Sequence, residues 1–246
     1  MVVTPLVGWV AKHNHLVDLP SSRKVHIAPI PRIGGIAIYA GCFLPFLSVL
    51  FYSTDVLGLI GIEDRIFYLI TGATLVFFMG IIDDIRGLNA PLKLMVQIVA
   101  AAIAYSGGIQ INALYTPWMD NWTLGLLSFP MTAFWFVLVI NALNLIDGLD
   151  GLAAGMTVFV SLVLLVLCVT TEKYLIGMGL AALAGATLGF LRYNFNPASI
   201  FMGDSGSYFI GYMLAGLSIM GSIKSHAAVA ILIPFIALGL PLIDAI

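Results

Sequence analysis

Long apolar runs separated by short polar connections make up most of this chain. The mainly apolar stretches fall at 34–52, 66–82, 92–105, 124–143, 152–169, 174–191, 208–221 and 227–243, eight in all. A hydrocarbon core about 30 Å thick takes about 20 mainly apolar residues to cross as a helix, so each run is a candidate span. A further run at 2–11 is too short to cross and reads as the inner end of a helix whose start is absent. The sequence also stops just after Asp244, at a helix end, and both termini are read as truncated. The pattern predicts an all-α, polytopic transmembrane helical bundle. No strong internal repeat, low-complexity tract or soluble linker interrupts it, so residues 1–246 form one partial membrane domain.

Composition supports that assignment. The chain is 61% apolar and 9% charged, against roughly 25% charged in soluble domains. With 10 Lys and Arg against 12 Asp and Glu, there is no basic surface for nucleic acid. Cys42 and Cys168 lie in apolar runs and read as small packing residues, suggesting neither a disulfide nor a metal. No charged n-region, short apolar core and small-residue cleavage site open the chain, so a removed signal peptide is not expected.

Alternating the spans divides the charges unequally. One side receives 12–33, 83–91, 144–151, 192–207 and the end at Asp244, and with them Lys12, Arg23, Lys24, Arg32, Arg86, Lys93 and Arg192. The other side receives Arg65, Lys173 and Lys224. The positive-inside rule makes the first side cytoplasmic. Tyr115, Trp118 and Trp122 near the opposite ends suit an interfacial belt. The acidic residues Asp18, Asp83, Asp84, Asp147, Asp150, Asp204 and Asp244 also fall on the first side. Carboxylates at a membrane edge are costly unless they face water, a partner or an ion, so this clustering marks a candidate site.

Four segments could build it. Asp83 and Asp84 follow the run ending Met79-Gly80-Ile81-Ile82, at a helix C-terminus where the dipole disfavours negative charge. A cation, either Mg²⁺ or a lysine such as Lys93, would offset that cost. A solvated helix end is the alternative. In Asn141-Ala142-Leu143-Asn144-Leu145-Ile146-Asp147-Gly148-Leu149-Asp150-Gly151, polar residues every three positions share one side of the last helical turns. Gly148 and Gly151 let the backbone turn and a ligand approach, and hard Asn and Asp oxygens suit Mg²⁺. Asp150 could instead cap the next helix.

The third segment runs from Tyr193 and Asn194 to Phe201, Met202, Gly203 and Asp204. Asp204 could be a metal ligand or an N-cap, and Phe201 a stacking face or a packing residue. The fourth sets Arg23, Lys24, His26 and Arg32 beside Pro29, Pro31, Gly34 and Gly35, which suits phosphate binding. Positive-inside topology explains its cations but not its Pro and Gly frame.

In this order and on one side of the membrane, the four segments resemble the polyprenyl-phosphate N-acetylhexosamine-1-phosphate transferase family (glycosyltransferase family 4), along essentially the whole chain. The segment with Pro29, Pro31, Arg32, Gly34 and Gly35 is most similar to the bacterial undecaprenyl-phosphate N-acetylglucosamine-1-phosphate transferase branch. The phospho-MurNAc-pentapeptide transferase branch is the alternative within the family. The resemblance implies transfer of a sugar 1-phosphate, GlcNAc-1-phosphate in first place, from a UDP-N-acetylhexosamine to undecaprenyl phosphate. UMP would be released, at the start of a lipid-linked cell-envelope glycan in a bacterial inner membrane. It implies Mg²⁺, or Mn²⁺ in its place, and is compatible with a homodimer.

By resemblance, Asn144 and Asp204 hold the metal on the diphosphate and Lys93 neutralises phosphate charge. Asp83, Asp84 and Asp147 are the catalytic carboxylates, with Asp83 or Asp84 serving the acceptor phosphate as base or covalent nucleophile. Gly148 and Phe201 sandwich uracil, with Asn194 nearby, and Asp150 lines the same pocket as Asp147. Lys24, His26 and Arg32 complete the expected substrate contacts. Family members continue beyond the position of Asp244 into a histidine-rich loop, so at most weak transfer is expected from these 246 residues alone.

Other classes fit less well. A secondary transporter also keeps polar residues near broken helices, but at the midplane and between repeats. A CDP-alcohol phosphotransferase would carry an Ala-Arg element and later aspartates at fixed spacing, and an intramembrane aspartyl protease a Gly-x-Gly-Asp pattern. Neither signature is present.

Overall fold

The computed structural model describes residues 3–14, 16–18, 29–52, 64–116 and 119–221. Lys24, His26, Asp244 and the candidate span at 227–243 lie outside the described residues. The helices are α1 (Val3–His13), α2 (Gly35–Tyr52), α3 (Asp64–Arg86), α4 (Ala90–Ser106), α5 (Ser128–Ile146), α6 (Leu152–Thr170), α7 (Tyr174–Asn194) and α8 (Gly203–Gly221). Two small antiparallel ribbons, which the apolar pattern does not announce, join the loops. β1 (Val17–Asp18) pairs with β2 (Ile30–Pro31), and β3 (Ala113–Thr116) with β4 (Met119–Thr123).

The protein is a polytopic helical membrane protein. Among the described residues, four helices are long and apolar enough to cross: Asp64–Arg86, Gly125–Ile146, Leu152–Thr170 and Tyr174–Asn194. Ala90–Ser106 and Gly35–Leu44 are shorter apolar helices. α8 is rich in Gly and Ser and is enclosed by protein, with every residue from Ser205 to Ser218 buried. It is the axis of the bundle, packed against α2, α3, α5, α6 and α7. Phe67, Phe134, Phe159 and Val166 are exposed on the surrounding helices, an arrangement that costs nothing when the solvent is lipid.

Small residues let the axis in. A Cβ on Gly35 would lie 2.2 Å from the Gly206 nitrogen, so α2 and α8 meet backbone to backbone as small-residue interfaces do in membranes. Three threonine hydroxyls inside the bundle are satisfied locally: Thr132, Thr157 and Thr187 each donate to the carbonyl four residues back, at 2.7 Å. Without water, an unpaired polar group would cost several kcal/mol. The far end of α8 is closed by Lys173, whose Nζ donates to the Met220 and Gly221 carbonyls at 3.2 Å, where a cation also suits the helix dipole.

Candidate active site

The chemistry gathers at the other end of the axis. α3 does not stop at Ile82; it continues through Asp83 and Asp84 to Arg86, so both carboxylates project from its last turn. At 100° per residue they face different neighbours. Asp83, 5% exposed, faces α4. Its Oδ1 accepts from the Leu88 N–H at 2.7 Å, and its Oδ2 pairs with Lys93 and accepts from the Tyr208 hydroxyl at 3.3 Å. Asp84 faces α8, where its oxygens accept from the N–H groups of Asp204 at 2.8 Å and Ser205 at 3.1 Å.

Lys93 stands in the first turn of α4. That helix is started by Asn89, whose side chain accepts from the Leu92 N–H at 3.1 Å, with Pro91 just inside it, a favourable place for a residue without an N–H. The Lys93 Nζ also lies 3.6 Å from Asp204 Oδ2. One ammonium therefore serves carboxylates from two helices.

α5 brings the amides. Asn144 donates through Nδ2 to Asp204 Oδ1 at 2.8 Å and to Ser207 Oγ at 3.0 Å. Asn141, one turn deeper, faces α4 instead, donating to Gln97 Oε1 at 2.7 Å and to the Val137 carbonyl. The three-residue polar repeat thus divides between two neighbours. Asp147 ends α5 as its C-cap. Enclosure of its carboxyl, then the negative charges of Asp204 and Asp84, hold it well above the usual carboxylate range, opposed by a backbone hydrogen bond from Gly203.

The remaining candidates frame this centre. Asp150 does not cap α6, whose N-cap is Gly151 in a left-handed conformation, without a side-chain cap. Its Oδ2 instead accepts from the Asn196 side chain at 3.2 Å and the Ala198 N–H at 3.0 Å, fastening the loop before α8. Asn194 is buried and bridges the Gly151 N–H and the Ile200 carbonyl. Phe201 is half-buried, with its N–H bonded to the Pro31 carbonyl. Gly148 is exposed. Arg32 lies 3.8 Å from both Asp18 and Asp84. The Gly34 and Gly35 N–H groups, which beside cations suit a phosphate, donate to the Phe201 and Met202 carbonyls. They serve packing, because α2 must approach α8 closely there.

Three contributors escape sequence reasoning. Gln97 is a single polar residue inside the apolar run 92–105, Tyr208 opens the run 208–221, and Ser207 immediately precedes it. Only the packing shows that Tyr208 reaches both Asp83 and Asp204, the latter at 3.5 Å.

Among the described residues no three His, Cys, Asp or Glu side chains converge as a ready-made metal cage. Mg²⁺ does not require one: it is typically held by one or two carboxylates, waters and substrate phosphates. Asp204, with Asn144 against it, offers hard oxygens of that kind beside a surplus of negative charge. The donor set fits Mg²⁺.

Carboxylates, amides and one lysine thus meet at a single end of a helical membrane bundle, where ionisable groups mark a candidate site. Residues 66–222 match the family described as Glycosyl transferase family 4, and the chain belongs to that family. It is 39% identical over 246 residues to "Probable undecaprenyl-phosphate N-acetylglucosaminyl 1-phosphate transferase" of Bacillus subtilis (strain 168), covering 99% of this chain and 66% of that protein. It is 35% identical to "Decaprenyl-phosphate N-acetylglucosaminephosphotransferase" of Mycobacterium leprae (strain TN), over 87% of this chain and 56% of that one. It is 34% identical to "Phospho-N-acetylmuramoyl-pentapeptide-transferase" of Clostridium botulinum (strain Eklund 17B / Type B), over 77% and 59%. The chain therefore spans between 56% and 66% of the length of these relatives.

Proposed function

We propose that the chain carries the core of a phosphoglycosyltransferase that moves GlcNAc 1-phosphate from UDP-GlcNAc to undecaprenyl phosphate. An oxygen of the acceptor phosphate forms a bond to the sugar-bearing phosphorus. The diphosphate P–O bond breaks, and UMP leaves with the electron pair. The observation that carries this reading is the meeting of Asp83, Lys93, Asn144, Asp147 and Asp204, from four helices, at one end of the bundle. The names of the Bacillus and Mycobacterium relatives support the transferred group and the polyprenyl-phosphate acceptor.

Phosphoryl transfer depends chiefly on positioning and charge neutralisation. Asp204 and Asn144 would hold Mg²⁺, which supplies charge screening and polarisation of the leaving oxygen. Lys93 would exchange its pairing with Asp83 and Asp204 for the donor diphosphate. Asp83 would orient the acceptor phosphate. Asp147 and Gly148, with Phe201, would face the nucleotide, and Lys24, His26 and Arg32 would add phosphate contacts. The site end would face the cytoplasm of a bacterial inner membrane, where the positive-inside bias directs it and where nucleotide sugars are made.

The test is UMP release and lipid product mass in nanodiscs containing undecaprenyl phosphate, across a donor panel. Two proteins are compared: the 246-residue chain, and that chain joined to the parts of the Bacillus relative that the match leaves uncovered. UDP-GlcNAc-dependent, Mg²⁺-dependent release by the joined protein, abolished by Asp204→Ala, is the expected outcome. Turnover of UDP-MurNAc-pentapeptide in place of UDP-GlcNAc would overturn the donor. Solute counterflow without UMP release would overturn the reaction.

A further inference from the structure

The family resemblance leaves Asp83 and Asp84 as alternative partners of the acceptor phosphate. The geometry separates them: we infer that Asp84 is a positioning residue that sets where Asp204 stands, by clamping the first turn of α8 to the last turn of α3, and that it does not contact the acceptor. This inference rests on the proposed transferase function.

The Asp84 side chain is 0% exposed, which leaves an incoming phosphate no approach. Both of its oxygens are already engaged by successive backbone N–H groups, Asp204 at 2.8 Å and Ser205 at 3.1 Å. Those N–H groups belong to the open first turn of a helix, where donors lack intrahelical partners and a negative charge is favoured. α8 has been given a cap from another helix, 120 residues away in sequence. Gly203 makes the fit possible. Its φ is +74°, and a Cβ there would lie 2.1 Å from the Arg32 carbonyl and 2.7 and 2.8 Å from the two Asp84 oxygens. A side chain at 203 would wedge the clamp open.

The gripped N–H belongs to the same residue whose carboxylate touches Asn144 and Lys93. Any slip of the clamp is transmitted through one Cα to the proposed metal pair. Asp83, on the same turn of α3, faces Lys93 and Tyr208 and takes no part in the clamp.

The experiment uses the active protein of the preceding assay in nanodiscs, with Mn²⁺ as the probe, titrated by electron paramagnetic resonance without any substrate. Asp84→Asn keeps the shape but turns one acceptor into a donor facing an N–H. Gly203→Ala leaves the carboxylate in place and displaces what it holds. Both variants are expected to weaken Mn²⁺ binding about tenfold, the scale of losses when a metal ligand's supporting partner is removed. In turnover both lower kcat while the KM for undecaprenyl phosphate stays within about twofold, as misplaced reacting groups do. Unchanged Mn²⁺ affinity in Asp84→Asn, with a raised acceptor KM, overturns the inference and makes Asp84 an acceptor ligand. If Asp84→Asn does not fold, Gly203→Ala decides alone: unaltered Mn²⁺ affinity there is equally fatal. A wild-type protein that neither binds Mn²⁺ nor releases UMP removes the transferase reading, and this inference with it.

Discussion

Lys93 is the single ammonium between Asp83 and Asp204, and replacing it tests how the charge cluster is held together. Lys93→Met keeps most of the aliphatic stem and deletes the charge. At about 4 Å and an effective dielectric constant of about 20, each ion pair is worth about 4 kcal/mol in gross Coulomb energy, most of it returned as desolvation. Removing one partner of a buried pair costs about 3–5 kcal/mol because the other charge is stranded. Lys93 is 25% exposed while Asp83 is 3% exposed at the side chain, so solvent recovers part of the loss and the lower end, about 3 kcal/mol, applies. Asp83 would keep the Leu88 N–H and the Tyr208 hydroxyl.

The assay is reversible unfolding in mixed micelles with EDTA present, for wild type, Lys93→Met, Asp83→Asn and the double variant. The double variant strands no charge at either position, so a coupling of about 2 kcal/mol is expected, within the range for residues in direct contact. Additivity of the two single effects to within about 0.5 kcal/mol, the behaviour of independent sites, would refute the pairing of Lys93 with Asp83 as an energetic unit.

Two further outcomes follow from the same structure. The Asp147 carboxyl is held above its ordinary range by enclosure and by Asp204 and Asp84, so the folded protein binds a proton there more tightly than the unfolded chain. Stability without divalent cations therefore falls as pH rises from the ordinary carboxylate range toward neutrality. Asp147→Asn should flatten that slope and raise Tm at pH 7 in EDTA, measured by intrinsic fluorescence; an unchanged slope refutes the assignment. Gly35→Ala places a methyl 2.2 Å from the Gly206 nitrogen and should destabilise by at least about 1–3 kcal/mol, the scale of overpacking. Gly155→Ala, with nothing within 4 Å, should be neutral or stabilising by up to about 1 kcal/mol; equal Tm changes in the two would contradict the backbone contact of α2 with α8.

Local composition was enough to make this a bundle of membrane helices. The apolar runs are set by the thickness of hydrocarbon, and a run such as 152–169 coincides with α6, Leu152–Thr170, almost residue for residue. The polar segments between the runs were also enough to indicate a candidate site at one end and a family, because their residue types and spacing are local properties. Helix ends were less legible. Hydropathy stops reading at Ile82, whereas the helix stops only where its hydrogen bonds do, past Asp83 and Asp84; α8 likewise starts at Gly203, five residues before its apolar stretch.

The division of labour among the polar residues belongs to the tertiary structure. Adjacent aspartates look alike in sequence, and only the rotation of α3 against α4 and α8 gives Asp83 a lysine and Asp84 a helix to cap. That Asp150 and Asn194 also fasten the loop at 194–200 is visible only in the packed structure. Gln97 and Tyr208 acquire meaning only from partners 44 and 125 residues away. A single polar side chain in an apolar run carries no period and no neighbour to signal its partner, so its role is decided by which helices pack together, and at what rotation.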